Sequence, residues 1–191
     1  MKQVFAAWLV GLWVVGASPA ARADPEVQAL AIASAVVVVA TIAEPPLDGP
    51  DEIAFEAGGF DVVKNVQPAA AFGLEYRIGK SLLWKLRPFV GAGVTTQGSF
   101  YGYGGIRVAT YWGERLVITP SFAVGGYGHG SGKDLGDPPV IGRFGIDVEY
   151  RLDNDMRVGI AYHHISNGKV LGQSTNPGTE VIGLTLSVAL Q

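Results

Sequence analysis

From Ile53 to the C-terminus the chain falls into segments of about ten residues in which apolar and polar positions alternate with period two, the signature of strands with two unlike faces. Eight such segments can be drawn. The sixth is the clearest: Phe144, Ile146, Val148, Tyr150 and Leu152 lie on one face, and Arg143, Asp147, Glu149 and Arg151 on the other. The second sets Ala70, Phe72, Leu74, Tyr76 and Ile78 against Gly73, Glu75 and Arg77, and the third sets Trp84, Leu86, Val90 and Val94 against Lys85, Arg87 and Gly91. The fifth opposes Leu116, Ile118, Phe122 and Val124 to Arg115, Thr119, Ser121 and Gly125, and the fourth opposes Ile106 and Val108 to Arg107. A small barrel has little room inside, so glycines and paired charges suit its lumen while large apolar residues face lipid. The expected fold class is therefore all-β, an eight-stranded antiparallel transmembrane β-barrel of the outer-membrane type. A soluble lipid-binding barrel reverses the faces, with Arg143, Asp147 and Arg151 in water and the aromatic face around a ligand.

Composition and connections favour the membrane form. Charged residues make up 16% of the 191 and hydrophobic residues 48%, with 27 glycines, a mixture poor in charge for a soluble domain. No stretch reaches the roughly 18 uninterrupted apolar residues of a spanning helix, so lipid contact has to come through strands. The net charge of −3 carries no nucleic-acid signature. Gly79-Lys80, Gly113-Glu114 and Asp153-Asn154 read as tight turns at one end, whereas the links from Gly128 to Pro139 and from Gly168 to Thr179 are longer, as expected of outside loops. Trp84 and Trp112 fall at the turn end, where an aromatic rim belongs.

The chain divides into three parts. Residues 1–23 read as an export signal: Lys2, an apolar run from Val4 to Val15, and the small-x-small site Ala21-Arg22-Ala23 before Asp24. Residues 24–50 include a second apolar stretch, Ala29 to Ala43, with neither clean alternation nor a helical stripe. Residues 51–191 form the barrel.

Chemistry concentrates at the end of the seventh segment. Met156, Val158, Ile160, Tyr162, His164 and Ser166 share its apolar face, while Arg157, Gly159, Ala161 and His163 share the other. The eighth begins with Glu180 on the apolar face, at the same rim. Antiparallel neighbours bring facing side chains within about 5 Å and diagonal ones within about 8 Å, so parity alone assembles a hydroxyl, an imidazole and a carboxylate. The usual relay follows: Glu180 orients the imidazole, His164 takes the proton from Ser166, Ser166 attacks an ester carbonyl, and Asn167 donates to the oxyanion. Ser166-Asn167-Gly168 is equally the sequence of a strand ending in a turn, and interfacial His and Glu also mark a water boundary, so spacing leaves an inert barrel open.

Other chemistries find less support. Cysteine is absent, which removes disulfides, thiolate metal sites and a Cys nucleophile. His163 and His164 point to opposite faces and cannot chelate one ion together, so no metal site is expected, and His163 belongs to the lumen. Gly128-His129-Gly130-Ser131-Gly132-Lys133 fails as a phosphate loop, because Tyr127 and Asp134 stand where Gly and Ser or Thr are required. It fails as a nucleophile elbow because His129 replaces the Gly two residues before Ser131.

His164-Ile165-Ser166-Asn167-Gly168, followed by Asn176-Pro177-Gly178-Thr179-Glu180 and a final strand, resembles the C-terminal signature of the outer-membrane lipid A 3-O-deacylases, the PagL family. Gly132-Lys133-Asp134-Leu135-Gly136 is similar to a segment common there, and the likeness in organisation runs from Ile53 to Gln191. The resemblance implies an eight-stranded barrel that removes the ester-linked acyl chain at position 3 of lipid A without a cofactor. Carried over, Ser166 is the nucleophile, His164 the base, Glu180 the acid and Asn167 the oxyanion donor. Lipid A or lipopolysaccharide in the outer leaflet is then the partner and the outer membrane the location, with a homodimer left open. The stretch Ala29 to Ala43 has no counterpart in that family. A non-catalytic barrel, adhesin or structural, and the soluble lipid-binding barrel are the competing classes.

Overall fold

The computed structural model describes residues 25–40, 48–137, 139–169, 171 and 175–190. The export signal and the processing site before Asp24 lie outside them. Among the described residues nine strands form one antiparallel sheet: β1 Glu52–Phe60, β2 Ala69–Arg77, β3 Arg87–Thr95, β4 Phe100–Arg107, β5 Thr110–Trp112, β6 Leu116–Gly128, β7 Val140–Arg151, β8 Arg157–Ser166 and β9 Thr179–Ala189. Sequence neighbours pair except β4 with β5, which both pair with β6, and β1 pairs with β9, so the sheet closes on itself. β4 and β5 are two pieces of one staff, which makes an eight-stranded barrel as the alternation predicts.

The break in that staff has a local cause. Arg107 faces Ser121 and Thr110 faces Ile118 in one continuous register, so no residue is inserted. Opposite the gap stands Pro120, whose carbonyl accepts the Val108 N–H at 3.0 Å but which has no N–H to return. Val108, expected on the lipid face, is buried instead.

The faces are those of a membrane barrel. Arg143, Asp147 and Glu149 are buried, while Val148 and Tyr150 beside them are exposed. The exposed band continues around the wall through Phe55, Phe72, Leu74, Val90, Val94, Ile160 and Leu184. The soluble barrel, which needs those charges in water, is excluded. Arg151, also expected inside, lies at the turn end with its side chain half exposed near Asp155.

Inside, charge is neutralised pair by pair. Arg77 meets Glu75 at 2.8 Å, Asp147 at 2.7 Å and Glu149 at 3.2 Å. Arg143 meets Glu75 at 2.9 Å and lies 4.4 Å over the Tyr103 ring. Arg157 pairs with Glu52. Burying charge without partners costs several kcal/mol per ion, which these contacts offset, while the Arg107 guanidinium makes no hydrogen bond and has Glu52 at 3.6 Å. Aromatic rings fill the rest of the interior, Tyr101 stacking on both Tyr103 and Tyr127, and Tyr127 on Phe60. Gly93 makes room for them, since a methyl there would fall 2.3 Å from the Tyr101 ring.

Two connections depart from expectation. The third strand starts at Arg87, not at Trp84. Trp84 sits in the β2–β3 connection with φ of +53°, a left-handed conformation that ends any strand pattern. The apolar stretch before the barrel is helix α1, Pro25–Ala40, packed against β6 and β7. Leu30, Ser34 and Val38 are its buried residues, whereas Ile32, Val36 and Val39 are exposed. Apolar side chains on both sides explain why no stripe was legible. No described helix is long and apolar enough to cross a membrane.

Candidate active site

His164 and Ser166 stand at the end of β8, away from the short turns, with their side chains on the outer wall. Neighbouring outward residues Val158 and Ile160 are exposed, yet His164 is only 4% exposed and Ser166 is half-buried. The expected lipid-exposed rim is therefore correct in face but partly covered. The cover includes the connection before β9: a methyl at Gly178 would fall 2.8 Å from His164 Cε1, 3.1 Å from its Nε2 and 3.6 Å from Ser166 Cβ. His164 and Ser166 thus converge on one point beneath Gly178, where only a residue without a side chain fits.

The ladder brings the expected carboxylate to the imidazole. His164 is the direct register partner of Glu180 across β8 and β9, and its Nδ1–H donates to Glu180 Oε1 at 3.1 Å. That contact assigns the tautomer and leaves Nε2 as the basic nitrogen. Glu180 is fully buried and its other oxygen, Oε2, has no hydrogen-bond partner. The Ser166 hydroxyl and the His164 ring share no hydrogen bond in this structure, and catalytic bonds of this kind commonly tighten only in the complex with substrate.

Asn167 is placed differently from its expected role. Its Nδ2 donates to the Leu135 carbonyl at 2.6 Å and to the Thr175 carbonyl at 3.1 Å, and its Oδ1 accepts the Lys169 N–H at 2.9 Å. The side chain fastens two long connections together, and donation to an oxyanion requires one of those carbonyl bonds to be exchanged.

His163 points into the lumen, as parity requires. Its Nε2 is 3.1 Å from Glu56 Oε2 and 3.7 Å from Asp147 Oδ1. Two residues near the site were missed at the sequence level, Asp61 and Lys133. In the sequence Lys133 stands out only within the glycine-rich loop and the family-like segment, and Asp61 follows β1 with no local motif. Their ion pair joins loops far apart in sequence, which no local pattern reveals. Asp61 lies outside the strands, and its carboxyl is held below the ordinary aspartate range. Burial pulls it up, but the Gln67 N–H, the Lys133 ammonium and the Val66 N–H outweigh burial.

Among curated proteins none matches the chain. A crystal structure of the outer-membrane enzyme PagL superimposes with a TM-score of 0.55 at 16% identity, over 73% of this chain and 99% of that one. A de novo designed transmembrane β-barrel matches with a TM-score of 0.48 at 14% identity, over 75% of this chain and 99% of the design. The model of the family described as lipid A 3-O-deacylase (PagL) matches residues 70–189. With a closed eight-stranded barrel and a family match over most of its length, the chain belongs to the PagL lipid A 3-O-deacylase family of outer-membrane ester hydrolases.

Proposed function

We propose that the chain hydrolyses the ester that holds the 3-hydroxyacyl chain at position 3 of lipid A, with Ser166 as nucleophile, His164 as base and Glu180 as acid. The observation that carries this reading is the 3.1 Å bond from His164 Nδ1 to Glu180 Oε1, on the outer face and two residues before Ser166. Ser166 Oγ attacks the acyl carbonyl as its proton passes to His164 Nε2. The imidazolium that forms is stabilised by Glu180, and its proton leaves on the sugar oxygen as the acyl-enzyme is made. Water, deprotonated by the same nitrogen, then releases a 3-hydroxy fatty acid and restores Ser166. Asn167 is proposed as oxyanion donor, by exchanging its contact with Leu135 or Thr175 for the oxyanion. No cofactor enters this chemistry.

The site's level on the wall supports the substrate class. Below Ser166 the outer face runs through Ile160 and Val158, both exposed, an apolar track beside a polar rim. A glycolipid with its headgroup at the rim and its acyl chains along the strands presents its esters at that boundary. The long connections then face the cell exterior and residues 1–23 direct export.

The test is release of 3-hydroxy fatty acid from purified lipid A in detergent, with mass spectrometry of the lipid A from cells carrying the wild-type or the Ser166→Ala chain. Loss of one 3-hydroxyacyl group in the wild type alone is the expected result. Wild-type-like release by a folded Ser166→Ala protein would end the serine-esterase reading and leave an inert barrel.

A further inference from the structure

Residues 178–180 supply both the acid of the site and the backbone over its base, and two side chains from other loops hold them. Asp61 follows β1 at φ of +58°, a conformation aspartate tolerates better than most residues. Its N–H donates to the Glu180 carbonyl at 2.8 Å, and the Val62 N–H reaches the same oxygen at 3.4 Å. Its carboxylate accepts the Val66 and Gln67 N–H groups at 2.8 Å each on Oδ2. Oδ1 accepts the Lys133 ammonium, with the Thr179 hydroxyl 3.4 Å away. Lys133 also donates to the Gly178 carbonyl at 2.9 Å, and its own carbonyl is anchored by the Tyr127 hydroxyl at 2.6 Å.

Three successive residues are therefore gripped: Gly178 by Lys133, Thr179 by Asp61, and Glu180 through the backbone of Asp61 and Val62. Lys133 is 7% exposed and Asp61 is fully buried. A loop lysine is seldom buried to that degree without a partner to satisfy it. The catalytic reading uses neither residue, and nothing in the strand ladder requires them.

We propose that Lys133 and Asp61 are positioning residues for the esterase, setting Glu180 against His164 Nδ1 and keeping Gly178 packed on the imidazole so that Nε2 addresses Ser166. The proposal rests on the Ser166, His164 and Glu180 reading. Lys133→Met takes away the tie to Gly178, but Asp61 keeps its two N–H donors and Glu180 keeps its place in the ladder. The acid shifts rather than departs. A misplacement of about 1 Å in such a group costs on the order of 100-fold.

The experiment uses the full barrel in detergent, with heat-modifiable electrophoretic mobility as the check of folding and 3-hydroxy fatty acid release from lipid A as the activity. Lys133→Met is expected to fold and to lose roughly 10- to 100-fold in kcat with KM little changed, and to shift the acidic limb of the kcat–pH profile. In a Glu180→Ala background the same substitution is expected to cost several-fold less than in the wild type, because its effect through the acid is gone and only the packing of Gly178 on the imidazole remains. A Lys133→Met protein that loses its fold passes the question to Asp61→Asn, which preserves size and one acceptor oxygen for the Val66 and Gln67 N–H groups but sets an amide NH2 against the Lys133 ammonium, and is expected to lose activity in the same direction. Three results overturn the proposal. They are kcat within about twofold of wild type for Lys133→Met, full multiplication of its loss with that of Glu180→Ala, and failure of both variants to fold. Activity retained by Ser166→Ala removes the catalytic reading itself, whereas a dead Ser166→Ala beside an unimpaired Lys133→Met removes only the positioning role.

Discussion

Two consecutive histidines on β8 each sit on a glutamate at 3.1 Å, His163 on Glu56 inside the barrel and His164 on Glu180 outside it. Both rings are buried, and each has a serine nearby. On the inner side, Ser121 and His163 flank Gly145 in the register of β6, β7 and β8. A methyl on Gly145 would fall 2.9 Å from Ser121 Oγ and 2.3 Å from His163 Nδ1. The inner trio therefore has the same residue types as the outer one. It lacks access: Ser121 faces a lumen filled by tyrosine rings and the ion pairs of Arg77 and Arg143, whereas Ser166 is half open on the wall that meets lipid. The nitrogens differ too. His163 spends Nε2 on its glutamate and leaves Nδ1 without a hydrogen-bond partner, while His164 meets its glutamate through Nδ1. Proximity of a hydroxyl, an imidazole and a carboxylate does not by itself make an esterase; the open side distinguishes the outer set.

The sharpest break of that comparison is a paired substitution. Ser166→Ala and His164→Asn should each abolish fatty acid release by several powers of ten and to about the same extent, because members of one catalytic unit are not additive. Ser121→Ala should leave release within about twofold, since it touches no substrate. An inactive Ser121→Ala protein of normal fold would place the chemistry in the lumen. His163→Ala should act on the other axis, retaining the esterase site but losing about 1–3 kcal/mol of stability by leaving the Glu56 carboxylate without its hydrogen-bond partner. Denaturant titration of the detergent-solubilised barrel reads that loss.

Glu180 comes next in size. Glu180→Ala should lose less than Ser166→Ala, by about two powers of ten in kcat, because the acid orients the ring and stabilises its cation but does not react. Glu56→Ala in the lumen should leave kcat near wild type. Equal losses from the two glutamates would show that what matters is the barrel's integrity and not the outer triad.

The sequence made the outer set legible because a strand has a strict period of two. That period separates His163 from His164 and puts Glu180 on the face of Ser166 before any coordinates are known. The same rule misplaced Trp84, where alternation continues through a segment that the positive φ turns away, and Val108, where Pro120 on the neighbouring strand interrupts the ladder. Neither event leaves a mark on the residue concerned. Helix α1 was opaque for a different reason, its apolar residues lying on every side. The grip of Asp61 and Lys133 on residues 178–180 was beyond reach, because loop-to-loop contacts carry no periodicity.

Asn167 offers a finer distinction. If it turns to the oxyanion, Asn167→Ala should cost about 2.7 to 4 kcal/mol of transition-state stabilisation, seen in kcat with KM unchanged. If it only fastens Leu135 to Thr175, the loss should instead follow the thermal stability of the connections and vanish on cooling. Rates of fatty acid release at several temperatures, normalised to the folded fraction, separate the two outcomes.

The smallest expected effect is a pH dependence, and it again sets outside against inside. The Asp61 carboxyl is held low because the donated hydrogen bonds and the Lys133 charge outweigh its burial. A group whose folded pKa is depressed contributes stability above its unfolded value and loses it as pH falls through the folded value. Between neutral pH and the upper edge of the aspartate range, the hold on residues 178–180 should therefore be unchanged, and it should weaken only in more acid solution. The wild type and Asp61→Asn should accordingly differ in heat stability by a constant amount near neutrality, and their curves should converge as the carboxyl of the wild type takes up its proton. Melting monitored by electrophoretic mobility across that range measures the convergence. Curves that run parallel down to strongly acid pH would mean that the Asp61 carboxylate adds nothing to the folded state through its charge, and that its contribution to the site is carried by its backbone N–H alone.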